Sequence, residues 1–251
     1  MIPILLVGAP GIGKTAITES KYDYVEKLLT SSMVEEDIAG LIYREGQEER
    51  RTTPAFVVRL QKAVKEGKKC CLFLDEVDKG RREVVDTLLT LITHQTSFGV
   101  PKEVDIVLAA NPPEWGGGDG ISIPMLNRVA VVNMKIDIEK WVNWIEKKFG
   151  EKFTLIKEVI ERIENGEIPL LETTGEYLER RVTSPRSITM ALEAYVSMPI
   201  DEAKEIADGL LTPNVSSSIY LCFQKNKQYA HKRKINITAS EVGSMFFPFR
   251  G

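Results

Sequence analysis

Gly8-Ala9-Pro10-Gly11-Ile12-Gly13-Lys14-Thr15 is the stretch of this chain whose residue types and spacing speak most directly of chemistry. It satisfies the pattern G-x-x-x-x-G-K-[S/T] at every fixed position. Glycines let a backbone wrap a triphosphate with its N–H groups turned inward, and a helix starting at the lysine adds the positive end of its dipole. Lys14 offers a compact charge to the β- and γ-phosphates, and Thr15 a hydroxyl ligand for Mg²⁺. A glycine-rich turn with a chance lysine would write the same string. A strand-like apolar run directly before it and a helical run directly after it favour the phosphate cradle.

Two further polar groups stand at the ends of apolar runs. Cys70-Cys71-Leu72-Phe73-Leu74 delivers Asp75 and Glu76, and ligands bind in open α/β sheets at the carboxyl ends of strands. Asp75 is placed to hold Mg²⁺ through a coordinated water, and Glu76 to polarise the water that attacks a γ-phosphate. An acidic turn capping the next helix is the plainer alternative for an isolated pair. Asp78 reads as a solvent-exposed acid at a helix start. Val104–Ala110 repeats the design and ends in Asn111, which could orient the same water; asparagine before Pro112 is also a common turn signal.

The elements that must position these groups follow from periodicity. Ile2–Val7, Tyr24–Thr30, Cys70–Leu74, Val104–Ala110 and Val129–Met134 read as strands. Pro54–Glu66 and Arg81–Gln95 carry apolar residues at helical spacing. Apolar strands alternating with amphipathic helices predict an α/β fold, a five-stranded parallel sheet sandwiched by helices. Beyond about residue 136 the pattern turns helical: Asp137–Phe149, Thr154–Asn165, Ser187–Ser197 and Asp201–Leu211, with no strong strand before the tail. The expected domains are therefore 1–136, α/β and nucleotide-binding, and 137–251, a smaller α-helical lid with a carboxyl-terminal tail.

Composition narrows the class. A length of 251 residues, 43% hydrophobic and 27% charged, suits a soluble globular protein of one or two domains. The formal net charge of -3 gives no basic field toward nucleic acid, and no apolar run reaches membrane-span length. The start of the chain lacks a basic segment and a cleavage site, so no signal peptide is expected. Cys70, Cys71 and Cys222 cannot make a disulfide framework, and with only His94 and His231 there is no zinc-ligand spacing. A reduced, cytoplasmic protein is the expectation, with adjacent Cys70 and Cys71 on opposite faces of their strand.

Together these motifs resemble AAA+ ATPases, most closely the MoxR-like branch and its dynein-related relatives, over about residues 2–200. Ser32–Gly40 is similar to the family's segment after the second strand, Leu72-Phe73-Leu74-Asp75-Glu76 to its Walker B strand, and Ala109-Ala110-Asn111 to its first sensor. Met125-Leu126-Asn127-Arg128 resembles the arginine-finger segment, Trp141-Val142-Asn143-Trp144 the tryptophan-bearing helix, and Thr183-Ser184-Pro185-Arg186-Ser187 the second sensor. The resemblance implies ATP and Mg²⁺ as cofactors, a homo-oligomeric ring, expected to be hexameric, and chaperone-like remodelling of a client or adaptor protein. Arg128 would act on a neighbour's γ-phosphate, and Arg186, at a helix start capped by Ser184 and Pro185, would report nucleotide state. Val129 stands where the family often has an aromatic residue. The span from Lys14 to Gly40 is also short, which suggests a trimmed first helix or second strand. The chain starts almost in its first strand, so no amino-terminal substrate domain is expected.

Three segments are left over. Arg44–Arg51 is charged and reads as a solvated loop that could touch a substrate; Lys225–Lys234 is basic with one aromatic residue; Met245–Phe249 is apolar. The basic segment alone supports a nucleic-acid-directed motor or clamp loader. A nucleotide-dependent scaffold without hydrolysis is a further alternative, and Asp75 with Glu76 speak against it.

Overall fold

In the computed structural model, which describes residues 2–115, 117–118, 121–175 and 181–225, the chain divides into two units, Met1–Asp137 and Ile138–Gly251. The first unit runs β1 (Ile4–Val7), α1 (Lys14–Glu19), β2 (Tyr24–Leu29), α2 (Glu35–Ala39), β3 (Ile42–Glu45), β4 (Glu48–Arg51), α3 (Ala55–Lys65), β5 (Cys70–Asp75), α4 (Arg82–Thr93), β6 (Asp105–Ala110), α5 (Ile123–Leu126) and β7 (Ala130–Asn133). Five of these strands form one parallel sheet in the order β2-β5-β6-β1-β7.

The sheet owes its shape to β5, which is apolar until its last residue and buried along its length. Side chains alternate across a strand, so Cys70, Leu72 and Leu74 face one helical layer while Cys71 and Phe73 face the other side. On the first side α3 contributes Phe56, Val57, Leu60 and Ala63, and α4 contributes Val84, Leu88, Leu91 and Ile92. These are i, i+3, i+4, i+7 spacings, and helix formation there is driven by burying that stripe. On the second side Phe73 packs with Leu6, Val107 and Ala109. The strand at Ala130–Asn133 forms as expected, but at the sheet edge with all four residues exposed.

Residues 44–51, expected as a solvated loop, instead belong to a two-stranded antiparallel hairpin of β3 and β4. Every position of it is exposed, so no apolar alternation announced the strands. Charge pairing joins the strands: Arg44 faces Glu49 and Arg50 bridges Glu45 at 2.6 Å across the hairpin, while Glu48 on the strand of Arg50 is a second partner at 3.2 Å.

The second unit is helical: α6 (Ile138–Phe149), α7 (Phe153–Glu164), then β8 (Glu172–Thr174) and β9 (Arg181–Thr183), then α8 (Pro185–Ser197), α9 (Ile200–Leu210) and α10 (Pro213–Lys225). The short β8–β9 hairpin was not expected, though it leaves this half without a strong strand; three-residue strands leave no readable period. It is tied to the α9–α10 junction by Thr183, whose hydroxyl accepts from the Thr212 amide at 3.0 Å, and by the Thr212 hydroxyl bond to Glu172. Of the basic segment 225–234 only Lys225 lies within the described residues, and 245–249 lies outside them.

Truncating Phe73 tests which residue anchors the second face. Phe73→Ala is expected to cost about 3–5 kcal/mol of unfolding free energy, measured by urea denaturation of the nucleotide-free protein. A cost below about 1 kcal/mol would show that the face is not closed around it.

Candidate functional site

Parallel pairing sets three strand ends level. Val7 of β1 pairs with Ala110 of β6, and Leu74 of β5 with Leu108, so Gly8, Asn111 and Asp75 leave the sheet at one edge. The Gly8 amide donates to the Ala110 carbonyl at 3.2 Å, which carries the β1–β6 pairing into the glycine loop. Within that loop Gly11 (φ 76°) and Gly13 (φ 97°) take left-handed backbone conformations that side chains resist, and Gly13 is the N-cap of α1. A Cβ on Gly8 would lie 2.5 Å from the Ile12 side chain and 3.0 Å from the Met134 carbonyl, so the first turn of the loop is packed tight.

Lys14 is only 9% exposed, and its ammonium donates to the Gly8 carbonyl at 2.6 Å, the Ala9 carbonyl at 3.1 Å and Asn111 Oδ1 at 2.7 Å. The contact joins two residues 97 apart in the chain and brings together the cradle and the strand-end amide. A cation folded onto its own loop, beside a glycine backbone shaped by two left-handed residues, fits a phosphate group: the ammonium can exchange peptide oxygens for phosphate oxygens. Half-buried Thr15 and Asp75 lie at the same edge, a hydroxyl and a carboxylate of the hard-oxygen kind that suits Mg²⁺.

Glu76 has φ 53°, and is the non-glycine residue with positive φ among the described residues. That left-handed turn costs of order 1 kcal/mol or more. It directs the carboxylate across to β2's end, where Glu76 Oε2 accepts from the Ser31 hydroxyl at 2.7 Å; Oε1 accepts from Lys79 Nζ at 3.0 Å. The Ser31 bond first, and then Lys79, hold the Glu76 carboxyl below its ordinary range. Each oxygen carries one of these bonds and keeps a second acceptor site, so the carboxylate is positioned without being closed to a further donor. Neither partner was expected from sequence. Ser31 comes within reach of Glu76 because β2 runs beside β5 with Leu29 opposite Asp75 and Ser31 follows two residues later, a register no local sequence signal announces.

Asp78 is not the solvated acid expected at a helix start. It is 7% exposed, and its two oxygens accept the Asn111 amide at 3.2 Å and the Gly118 amide at 3.1 Å. It lies in the 3-10 turn Val77–Lys79, ahead of α4 rather than on it.

Arg128 follows α5 and is exposed. Its guanidinium donates to Thr93 Oγ1, the last residue of α4, at 3.1 Å and to the Pro124 carbonyl at 2.8 Å. Both partners are neutral, and no carboxylate among the described residues pairs with it. It makes no hydrogen bond to the glycine loop of its own chain. Arg186 belongs to the second unit, in the first turn of α8, where Ser184 and Ser187 cap each other's backbone: Ser184 N–H to Ser187 Oγ at 2.8 Å, Ser187 N–H to Ser184 Oγ at 3.3 Å. It is exposed there.

The model of the AAA domain (dynein-related subfamily) matches residues 3–129, which contain this whole edge. The chain belongs to that family. Members of the AAA family in general bind and hydrolyse nucleotide, typically with Mg²⁺, and commonly assemble into rings. No curated protein matches the chain significantly. Among solved structures, the Thermotoga maritima RuvB Holliday junction branch migration motor is similar at 14% identity and a TM-score of 0.47, over 87% of this chain. A substituted form of that RuvB gives 13% identity with the same coverage and score. This chain spans 61% of the length of those RuvB chains. No helix of the AAA domain or the second unit, among the described residues, is long and apolar enough to cross a membrane.

The Glu76 restraint has a titration signature. A carboxyl held below its usual value near 4.3 contributes stability above that pH and loses it as pH falls through the depressed value. Ser31→Ala removes the largest cause, so the Glu76 midpoint should move up toward the ordinary value in a ¹³C-NMR titration of the nucleotide-free protein. An unmoved midpoint would mean the Ser31 bond does not hold the carboxylate in solution.

Proposed function

We propose that this AAA domain is a MoxR-like ATPase that hydrolyses ATP with Mg²⁺ in a homo-oligomeric ring, expected to be hexameric, and uses the cycle to remodel or activate a partner protein. The observation that carries the ATPase reading is the Lys14–Asn111 contact at 2.7 Å, which ties the phosphate cradle to a strand-end amide beside Asp75 and Glu76. When bound, Mg²⁺–ATP supplies a phosphoanhydride whose γ-phosphoryl group passes to water. Lys14 and the amides of residues 8–15 would hold the phosphates, and Thr15 and Asp75 the metal.

Glu76 accepts the proton of the attacking water at an acceptor site that Ser31 and Lys79 leave open, and Asn111 orients that water when Lys14 turns from it to phosphate. Arg128 is assigned to a neighbour's site. In support, it is exposed, held at fixed points on α4 and α5, and bonded to neutral groups, so its charge stays available. Arg186 is assigned to nucleotide sensing from the second unit as lid; its capped helix start supplies the rigidity such a role needs. The free, buried thiols of Cys70, Cys71 and Cys222 suit a cytoplasmic setting. The client protein and its pathway belong to this proposal only as a class.

Two results are expected. Glu76→Gln should retain ATP while its turnover falls roughly 10²–10⁴-fold, the usual worth of a general base, whereas Lys14→Ala should lose binding. Equilibrium binding of a fluorescent ATP analogue beside steady-state phosphate release separates the two, and wild-type turnover in Glu76→Gln would overturn the assignment. Activity per subunit should also climb with protein concentration, and an equal mixture of Glu76→Gln with Arg128→Ala should recover part of what each lacks. A flat concentration dependence with normal Arg128→Ala would point to a self-sufficient subunit.

A further inference from the structure

Asp78 is a buried carboxylate with no cation paired to it among the described residues, a costly arrangement unless its hydrogen bonds require the charge. Those bonds are two backbone amides from separate segments, one on each oxygen. A neutral residue of the same shape offers one acceptor where two are needed, so the requirement is for a carboxylate.

The second segment is built to come close. A Cβ on Gly117 would lie 2.2 Å from the Asn111 carbonyl oxygen, and one on Gly118 would lie 1.9 Å from the Asp78 carbonyl oxygen. Only glycines let the loop lie flat against the end of β6 and the turn Val77–Lys79. From Gly118 the chain leads to Ser122, which caps α5 and whose Oγ accepts the amide of buried Met125, and then to Arg128. Arg128 bonds back to Thr93 at the end of α4, and α4 begins just after the turn that carries Asp78. Two connections thus run from the Asp78 turn, hydrogen bonds to the Asn111 and Gly118 amides and the covalent chain into α4, whose Thr93 accepts from Arg128.

We infer that Asp78 is a positioning residue: its carboxylate clamps the Asn111 end of β6 to the Gly117–Gly118 loop, so that the water-orienting amide and the Arg128 segment move as one piece. The inference rests on the ATPase reading for its consequence, and on geometry alone for the clamp. A subunit whose Lys14 leaves Asn111 for phosphate would then pass that change through Asp78 and α4 to the arginine it presents to its neighbour.

The test uses Asp78→Asn, which keeps size and one acceptor, and Gly118→Ala, which reaches the clamp from the other side. In the nucleotide-free protein, hydrogen exchange at the Asn111 and Gly118 amides should quicken at least tenfold in either variant, with β5 amides unchanged. In ATP turnover, kcat should fall at least tenfold while KM stays within about threefold, and the double variant should be no slower than the worse single one. Adding Asp78→Asn to a Glu76→Gln subunit should also reduce its rescue of Arg128→Ala. Unchanged exchange at both amides would overturn the clamp, and multiplying kcat losses would overturn the shared action of Asp78 and Gly118. If the wild type neither binds nor hydrolyses ATP, the ATPase reading fails, while the exchange result still decides the clamp.

Discussion

A lysine ammonium at 9% exposure has to be surrounded by oxygen, and the way Lys14 meets that demand organises the whole edge of the sheet. Its acceptors are two carbonyls of its own loop and the side chain of Asn111. The loop carbonyls turn toward it because Gly11 and Gly13 take conformations other residues avoid, and Asn111 is in reach because β6 lies directly beside β1. A change of strand order would separate the two. The central position of β6, between β5 and β1, is therefore a condition of the site as well as of the core.

The same edge divides its charges by how they are satisfied. Asp78 is met by amides, Glu76 by a hydroxyl and an ammonium, Lys14 by carbonyls and an amide oxygen. Amide partners are fixed parts of the backbone, so Asp78 is held in place. The partners of Glu76 are side chains, one of them the flexible Lys79, so its restraint can be undone without disturbing the sheet. Of two acids two residues apart, one is therefore held by the backbone and the other by side chains.

How much of this could be read from sequence depended on how local the signal was. The glycine loop and Cys70–Asp75 were legible because their pattern lies within one short stretch: a run of fully buried strand, or glycines at fixed offsets. Arg128 and Arg186 were singled out through resemblance, with the Ser184–Pro185 cap as a local feature beside Arg186. Ser31 and Asp78 were not legible because their meaning depends on register and on a loop far along the chain; Gly118 lies 40 residues from Asp78. The β3–β4 hairpin escaped for a different reason. Strand periodicity is written by burial on one face, and a hairpin exposed on both faces carries only charge pairing.

Glu76 shows how a local rule fails at a place that matters. Its left-handed backbone, in a residue type that gains nothing from that region, works against the strand-to-helix transition around it. A right-handed or extended backbone at this point would aim the side chain elsewhere, and the bond to Ser31 that spans from β5 to β2 would not form. The strain is offset by the two hydrogen bonds it makes possible, and both are of the charge-assisted kind worth more than neutral ones. The acceptor sites left on those oxygens stay open to a further donor while both bonds stand. The backbone at position 76 thus favours an ionised carboxylate fixed across the end of the sheet, and the two bonds that offset its strain are the same ones that hold its carboxyl below the ordinary range.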